Sequence, residues 1–237
     1  MVSAADEARL LEQHAGVLFR MDHHERLIGL NEPGDDVPPR LFLARGEITH
    51  RIWFGAGVGE ATIEACHAIS RELPSWNGQQ PGASLYDSLR AAVALEAPIV
   101  DETNGPAYRF GERVDIPIDT DARVIDAASA QLLDSNFPYT RSVLAFRSPV
   151  VGVVIDGSVV SACYCARKRP NACEAGVDTI EPYRGRGFAP LVASAWRDAV
   201  EAEGSEPLYS TSWDNVASRA VAAKLRLIPY AETLSLR

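Results

Sequence analysis

The stretch best suited to chemistry is EPYRGRGFAP at residues 181–190, where arginine and glycine alternate over 184–187. A strand is predicted to end at residue 180 and a helix to begin near 189. The first amides of a helix lack internal partners and carry the positive end of its dipole. Glycines let a ligand approach the backbone, and arginines add forked donors. These features predict a site for phosphate oxygens, and a hydrated basic turn is the alternative.

Regular elements that could position this stretch fill the C-terminal half. Asp156-Gly157 is a two-residue hairpin signal between two apolar runs. Thr120 and Asp121 could cap a following helix. We predict strands over 114–118, 150–155, 158–166, 173–180, 207–213 and 229–236, a basic turn at 166–172, and helices over 121–134, 189–203 and 215–225.

The N-terminal half has weaker punctuation and no motif with an assigned role. We predict helices over 4–18, 59–73 and 84–97, strands over 41–44 and 49–54, and a loop at 74–84. A loop-rich stretch at 101–113 is taken as the domain boundary. The predicted domains are therefore 1–112, an α/β region of unassigned role, and 113–237.

Composition narrows the function classes. The chain has 237 residues and a formal net charge of -9, which disfavours a general nucleic-acid binder. Apolar runs are too short for a membrane helix, and the acidic first residues do not predict a secretory signal. Four cysteines lack the spacing of a zinc site or a disulfide scaffold. We therefore expect a cytoplasmic protein with no metal, no membrane partner and no nucleic-acid partner.

Three other features are tempting but weaker. GAGVGEAT at 55–62 lacks the third glycine or alanine of a dinucleotide-binding fingerprint. DHHE at 22–25 could ligate a metal, but neighbours in sequence rarely all face one ion, so a polar turn is favoured. Cys163 and Cys165 share a strand face, which favours a buried apolar role.

The order of elements and two motifs resemble the GNAT superfamily of N-acetyltransferases. Residues 184–189 (RGRGFA) fit the family's Gln/Arg-x-x-Gly-x-Gly/Ala motif, and Asn215 opens a helix after the fifth strand. The string at 174–189 is similar to the subgroup related to zwittermicin-resistance acetyltransferases. The resemblance covers about 113–237. It implies an α/β (α+β) fold with a mixed, mostly antiparallel sheet flanked by helices, beside a smaller N-terminal region.

The resemblance implies transfer of an acetyl group from acetyl-CoA to a primary amine, directly in a ternary complex. It identifies no acceptor, and a homodimer is left open. The implied catalytic residues are Glu174 as base, Val177 as backbone donor to the oxyanion, and Ser218 or Tyr230 as acid. The implied cofactor-binding residues are Val177, Asp178, Thr179, Arg184, Gly185, Arg186, Gly187, Phe188, Ala189, Asn215 and Ser218. Arg167, Lys168 and Arg169 could meet the adenosine phosphates, although a solvated turn is favoured.

Two positions depart from the family pattern. Cys173, not Glu174, holds the commonest place of the family glutamate, and a β-bulge would restore the face of the side chain. Ala222 stands where the family often has a tyrosine acid, so Tyr209, Tyr230 or Ser218 would substitute, or no acid operates. The alternative function is a catalytically lapsed acyl-CoA-binding module.

Overall fold

The structure, a computed structural model, describes residues 3–34 and 36–237. The described chain is a mixed α/β fold with mostly antiparallel strands flanked by helices. It forms two compact units. Unit 1 contains the residues up to Ala107 together with Thr211–Asp214 and Pro229–Arg237, and unit 2 contains Tyr108–Ser210 and Asn215–Ile228. Within the described residues no helix is long and apolar enough to cross a membrane.

Unit 1 begins with a helix that is capped by its own sequence. The Ser3 hydroxyl accepts a hydrogen bond from the Asp6 amide at 3.1 Å, which satisfies one of the first helical donors. The elements of unit 1 are α1 (Ala4–Leu18), β1 (Phe19–Met21), β2 (Leu27–Leu30), β3 (Leu41–Arg45), β4 (His50–Phe54), α2 (Glu60–Arg71), α3 (Asp87–Ala94) and most of β5 (Glu102–Arg109). Nearly all of the last strand of the chain, β11 (Ile228–Leu236), also belongs to unit 1. The helix predicted over 84–97 is therefore shorter than expected.

The core of unit 1 lies between its sheet and two helices. β3 pairs antiparallel with both β4 and β11. Leu41, Leu43, Leu234 and Leu236 are fully buried and pack against apolar residues of α2 and α3. This burial joins the last strand of the chain to strands about 190 residues earlier.

A buried carboxylate in unit 1, that of Glu232, accepts hydrogen bonds from three side chains. Glu232 accepts hydrogen bonds from Arg45 at 2.5 Å, from the Tyr86 hydroxyl at 2.6 Å and from the Trp213 indole at 3.0 Å. Breaking one partner of such a pair leaves an uncompensated buried charge. Trp213 belongs to the short segment 211–214, so this carboxylate anchors that segment within unit 1.

Unit 2 is built on a five-stranded order, β6–β7–β8–β9–β10, in which only β9 and β10 are parallel. Its elements are β6 (Ala122–Val124), a 3₁₀ turn (Ala130–Leu133), α4 (Pro138–Ser142), α5 (Leu144–Arg147), β7 (Val151–Ile155), β8 (Ser158–Arg169), β9 (Ala172–Thr179), a second 3₁₀ turn (Glu181–Tyr183), α6 (Phe188–Ala202), β10 (Glu206–Ser210) and α7 (Val216–Lys224).

Helix α6 covers one face of this sheet. Val192, Trp196 and Val200 are fully buried, as the apolar spacing predicts. The other face is covered by apolar residues around α4 and α5. The β7–β8 turn is confirmed: Asp156 and Gly157 both have left-handed φ, of 49° and 75°.

Three sequence expectations are wrong. Residues 101–113 contain β5 rather than a loop; Gly105 there is a point of close approach, since a Cβ would lie 1.9 Å from the Thr211 carbonyl oxygen. Residues 114–118 form no strand, and Pro117 removes an amide that a ladder needs. The helix over 121–134 is replaced by β6 and a 3₁₀ turn.

Local side-chain hydrogen bonds explain the lost helix. Asp126 and Ser129 each accept a bond from the other's backbone amide at 3.0 Å, which fixes a turn. Residues Ala122–Val124 instead pair with β7. Tertiary pairing and this turn together override the helical pattern.

Candidate active site

The loop before α6 has the conformation that its glycines permit. Gly185 and Gly187 have φ of 76° and 82°, in the left-handed region that disfavours other residues. Gly187 is the N-cap of α6, and no described side chain caps that end. The first amides of α6 are therefore available to an anion.

A cavity of about 460 Å³ opens at this loop, entirely within unit 2. It lies between the end of β9, the start of α6, and α7. Its lining residues are Val177, Asp178, Thr179, Tyr183, Arg184, Gly185, Gly187, Phe188, Ala189, Pro190, Tyr209, Asn215, Ala217, Ser218, Ala220, Val221 and Lys224. The Arg-Gly motif at 184–189 and Asn215, some thirty residues later, therefore line the same cavity.

At this cavity, one edge of β9 is not paired with β10. β9 and β10 pair in parallel over three positions only, ending at Glu174 opposite Leu208. Among the described residues, the part of β9 beyond Glu174 pairs with β8 alone. Backbone groups of Val177 and Thr179 that face the β10 side can therefore pair with an extended ligand.

Helix α7 presents a hydroxyl pair to the cavity. Asn215 caps the helix by accepting a hydrogen bond from the Ser218 amide at 2.9 Å. The Ser218 hydroxyl lies 2.7 Å from the hydroxyl of Tyr209, which comes from β10. Burial raises the pKa of Tyr209 to about 12, so its hydroxyl keeps its proton at neutral pH.

Glu174 is buried beside this site but does not line the cavity. Its side chain is 5% exposed, and the Ser210 hydroxyl donates to its Oε1 at 2.6 Å. Burial raises the pKa of Glu174 to about 7, against the lowering effects of the Ser210 hydrogen bond and the Arg167 charge. A carboxyl group with that pKa can exchange a proton near neutrality.

The β-bulge expected near Glu174 does not lie in β9, the strand that carries this residue. The irregularity lies in β8, between Cys165 and Arg167. Cys173 and Val177 pack in the core beneath α6, so Glu174 faces the opposite side of the sheet, since side chains alternate along a strand.

Asp178 also lines the cavity, and its carboxylate is held in place by a neighbouring strand. The Tyr164 hydroxyl donates to its Oδ2 at 2.5 Å, and the guanidinium of Arg147 lies 4.1 Å from the Tyr164 ring centroid. A Cβ at Gly176 would lie 2.3 Å from the Tyr164 ring, so glycine is needed for this ring to cover the strand.

Besides Glu174, two predicted residues are not among those that line the cavity. Arg186 stacks over the Tyr183 ring at 4.7 Å and donates to the Pro182 carbonyl. Tyr230 is in unit 1, where its ring packs 5.9 Å from that of His14. The remaining cofactor-binding predictions all line the cavity, although their roles stay predictions.

The basic turn predicted at 166–172 is wrong in position. β8 continues to Arg169, so Arg167, Lys168 and Arg169 lie on a strand rather than at a tip. The Lys168 ammonium donates to the Ser148 carbonyl at 2.7 Å and lies 3.6 Å from a Glu203 carboxylate oxygen.

Some cavity residues were missed by the sequence reasoning. Lys224 and Val221 line the cavity from α7, and Tyr183 lines it from the loop. Helical spacing from Ser218 to Val221 and on to Lys224 places them on one face of α7, so the period of that helix could have found them.

Unit 1 contains a second cavity, of about 490 Å³. His24, His50 and His67 line it together with Arg26 and Arg71. The part of the chain that the structure describes has no group of three or more His, Cys, Asp or Glu side chains that could hold a metal ion.

Comparison with known families agrees with this site. Residues 118–228 match the profile described as GNAT acetyltransferase. That range contains every residue that lines the first cavity. No match was found among curated proteins.

Solved structures share the fold at low identity. The chain is similar to a GCN5-related N-acetyltransferase-like protein from Streptococcus suis, with a TM-score of 0.50 and 17% identity over 98% of this chain and 100% of that one. A GCN5-related N-acetyltransferase from Kribbella flavida gives a TM-score of 0.50 and 16% identity over 99% and 96%. A GNAT-family protein from Novosphingobium aromaticivorans, with a TM-score of 0.47 and 19% identity, aligns over 58% of this chain and 65% of its own.

Proposed function

We propose that this protein transfers an acetyl group from acetyl-CoA to a primary amine, by direct transfer in a ternary complex. The observation that carries the proposal is the single cavity that joins the Arg-Gly loop, the unpaired end of β9 and the Asn215 end of α7. The match of 118–228 to the GNAT acetyltransferase profile supports the same chemistry. We also propose that 113–237 hold the acetyl-CoA site and that 1–112 serve another role.

The lining offers groups that could hold each part of acetyl-CoA. A Cβ at Gly185 would meet no atom within 4 Å, which leaves an open cradle at the start of α6. Amides of residues 185–189 would hold the pyrophosphate, with charge from Arg184 and Lys224. The free edge of β9 would pair with the pantetheine arm, and Asn215 and Ser218 would line its other side.

The chain's own groups would carry out three tasks in the transfer. Acetyl-CoA supplies an activated thioester. The Val177 amide would donate to its carbonyl oxygen as negative charge develops there, a kind of interaction worth on the order of 3 kcal/mol. Glu174 would take the proton of the acceptor amine through water, because three residues of strand, about 10 Å, separate it from Val177.

The finer assignments rest on narrower observations. All four cysteines are free and buried, which supports a reducing, cytoplasmic location. Similarity of residues 174–189 to zwittermicin-resistance-type acetyltransferases stays a prediction.

Thermal unfolding with and without acetyl-CoA tests the proposal, with NAD as the control ligand. At 100 times its dissociation constant a ligand stabilises by about 2.7 kcal/mol. The unfolding midpoint should then rise by about 5–10 °C with acetyl-CoA alone. No rise at saturating acetyl-CoA would refute the proposed donor.

A further inference from the structure

Tyr209 brings a hydroxyl group to the cavity on a rigid support. Its side chain is 3% exposed, and its ring lies 6.3 Å from that of Tyr108 and 6.5 Å from that of Phe110, both in edge contacts. Only the hydroxyl end meets the cavity partner Ser218, at 2.7 Å from its Oγ and 3.3 Å from its carbonyl oxygen. The packing therefore fixes where this oxygen lies.

Ser218 leaves the phenol proton of Tyr209 able to turn toward a ligand. Either hydroxyl of this pair can be the donor. When Ser218 donates to the Tyr209 oxygen, the Tyr209 proton can be donated either to the Ser218 carbonyl, 3.3 Å away, or to a ligand. Asn215 holds Ser218 in place through the helix cap, so this exchange needs rotation of hydroxyl groups only.

The helix position where the resemblance implies a tyrosine cannot supply such a donor. Ala222 is 2% exposed and packs in the core beneath α7 with Val221 and Leu225. A hydroxyl from β10 reaches the same cavity from the strand side instead.

We propose that Tyr209 is the catalytic hydrogen-bond donor to the sulfur atom that leaves during acetyl transfer, an inference that rests on the proposed function. In that step the C–N bond to the acceptor forms and the C–S bond breaks, with its electron pair going to sulfur. The amine proton passes to Glu174 through water. The CoA thiolate then takes its proton from solvent.

Tyr209 acts as a hydrogen-bond donor and not as the source of that proton. Its pKa of about 12 lies well above the value of about 8.5 for an ordinary thiol, so proton transfer from the phenol to the thiolate is uphill. A hydrogen bond to the ion still stabilises the charge on sulfur, because bonds to charged groups are the stronger ones.

The test measures the thiol of bound CoA directly. CoA is titrated with base in the presence of saturating protein, and the thiolate is followed by its ultraviolet absorbance. Wild-type protein should lower the pKa of the bound thiol, and Tyr209→Phe should raise it again by about 1 to 2. The same variant should lower kcat by about 100-fold with little change in KM for acetyl-CoA.

Tyr108→Phe is the matched control, because it removes the same atom from the adjacent ring, which does not line the cavity. It should leave the thiol pKa and kcat unchanged, and thermal unfolding checks that both variants fold. If CoA binds and the two variants behave alike, the role of Tyr209 is overturned while the proposed function stands. If CoA does not bind wild-type protein, both are overturned.

Discussion

Glu174 is a buried carboxyl group that accepts a hydrogen bond from the Ser210 hydroxyl and is influenced by the charge of Arg167. Burial alone would favour its neutral form, and the Ser210 hydrogen bond only partly opposes this, which leaves its pKa near 7. If Glu174 is both buried and catalytic, removing its charge should raise the stability of the protein and lower its activity. Replacing the residue by glutamine separates them, since the amide oxygen can still accept from Ser210.

Activity should depend on the ionised form of Glu174. As the proposed base, Glu174 would work above its pKa, so kcat/KM of the wild-type protein should rise with pH through an inflection near 7. Glu174→Gln should lower kcat by about 100-fold and abolish that inflection. A pH–rate profile measures both, and an inflection that persists in the variant would contradict the assignment.

The free energy of unfolding should depend on pH in the opposite direction to activity, falling as pH rises. The folded-state pKa of about 7 lies above the ordinary value of 4.5, so the folded protein binds the extra proton between these pH values. Wild-type stability is full below pH 4.5 and falls as pH rises toward 7. Glu174→Gln avoids this loss and should be more stable at pH 8 by about 3 kcal/mol.

Denaturant unfolding across that pH window checks the difference. Glu201→Gln is the control, because Glu201 is an exposed residue of α6 whose nearest cation is 3.9 Å away. Equal pH dependence of stability in wild type and Glu174→Gln would show that Glu174 is not held neutral.

The start of α6 is the element on which acetyl-CoA binding is proposed to depend. Gly185 and Gly204 provide a matched pair of positions, with φ of 76° and 75° and no atom within 4 Å of an added Cβ. Alanine should cost the same backbone strain at both, on the order of 1 kcal/mol. Only the Cβ at 185 would enter the cavity.

Gly185→Ala should therefore weaken acetyl-CoA binding by at least tenfold, whereas Gly204→Ala should not. Calorimetric titration of both variants measures this. Equal affinities would mean that the loop backbone does not hold the ligand. Gly187 is unsuitable for this test, because a Cβ there would lie 2.6 Å from Ile118 and disturb the fold itself.

The elements that the sequence predicted well are those with strong local signals. The Asp156-Gly157 turn, the apolar stripe of α6 and the Asn215 cap each depend on neighbours in sequence, and the structure confirms all three elements. β5 and β6 were missed because their pairing is non-local, and Gly105 resembled a turn signal. The Tyr209–Ser218 contact joins a strand to a helix, which no spacing rule predicts.

The whole molecule is built so that the chain passes between its two units four times. The resemblance over 113–237 suggests a fragment, but that fragment divides both cores. It removes Tyr108 and Phe110 from unit 2 and the β3 partner of β11 from unit 1. Leu234 and Leu236 would then lose the strand that covers them.

A fragment of 113–237 should therefore fail to fold cooperatively. Circular dichroism during heating should show a broad, weak transition, and the fragment should expose apolar surface to a fluorescent dye. A fragment of 108–237, which keeps Tyr108 and Phe110, should retain more structure. Cooperative unfolding and full acetyl-CoA binding by 113–237 would contradict this description of the cores.

Acetyl transfer itself is tested most directly by following free thiol from acetyl-CoA with the full chain and a panel of primary amines, with the product amide identified by mass spectrometry. The account predicts thiol release that depends on both protein and amine, in equal amount to the amide, and greatly reduced by Glu174→Gln. Acetyl-CoA that binds but yields neither thiol nor amide with any amine would contradict it, and would indicate a binding module instead.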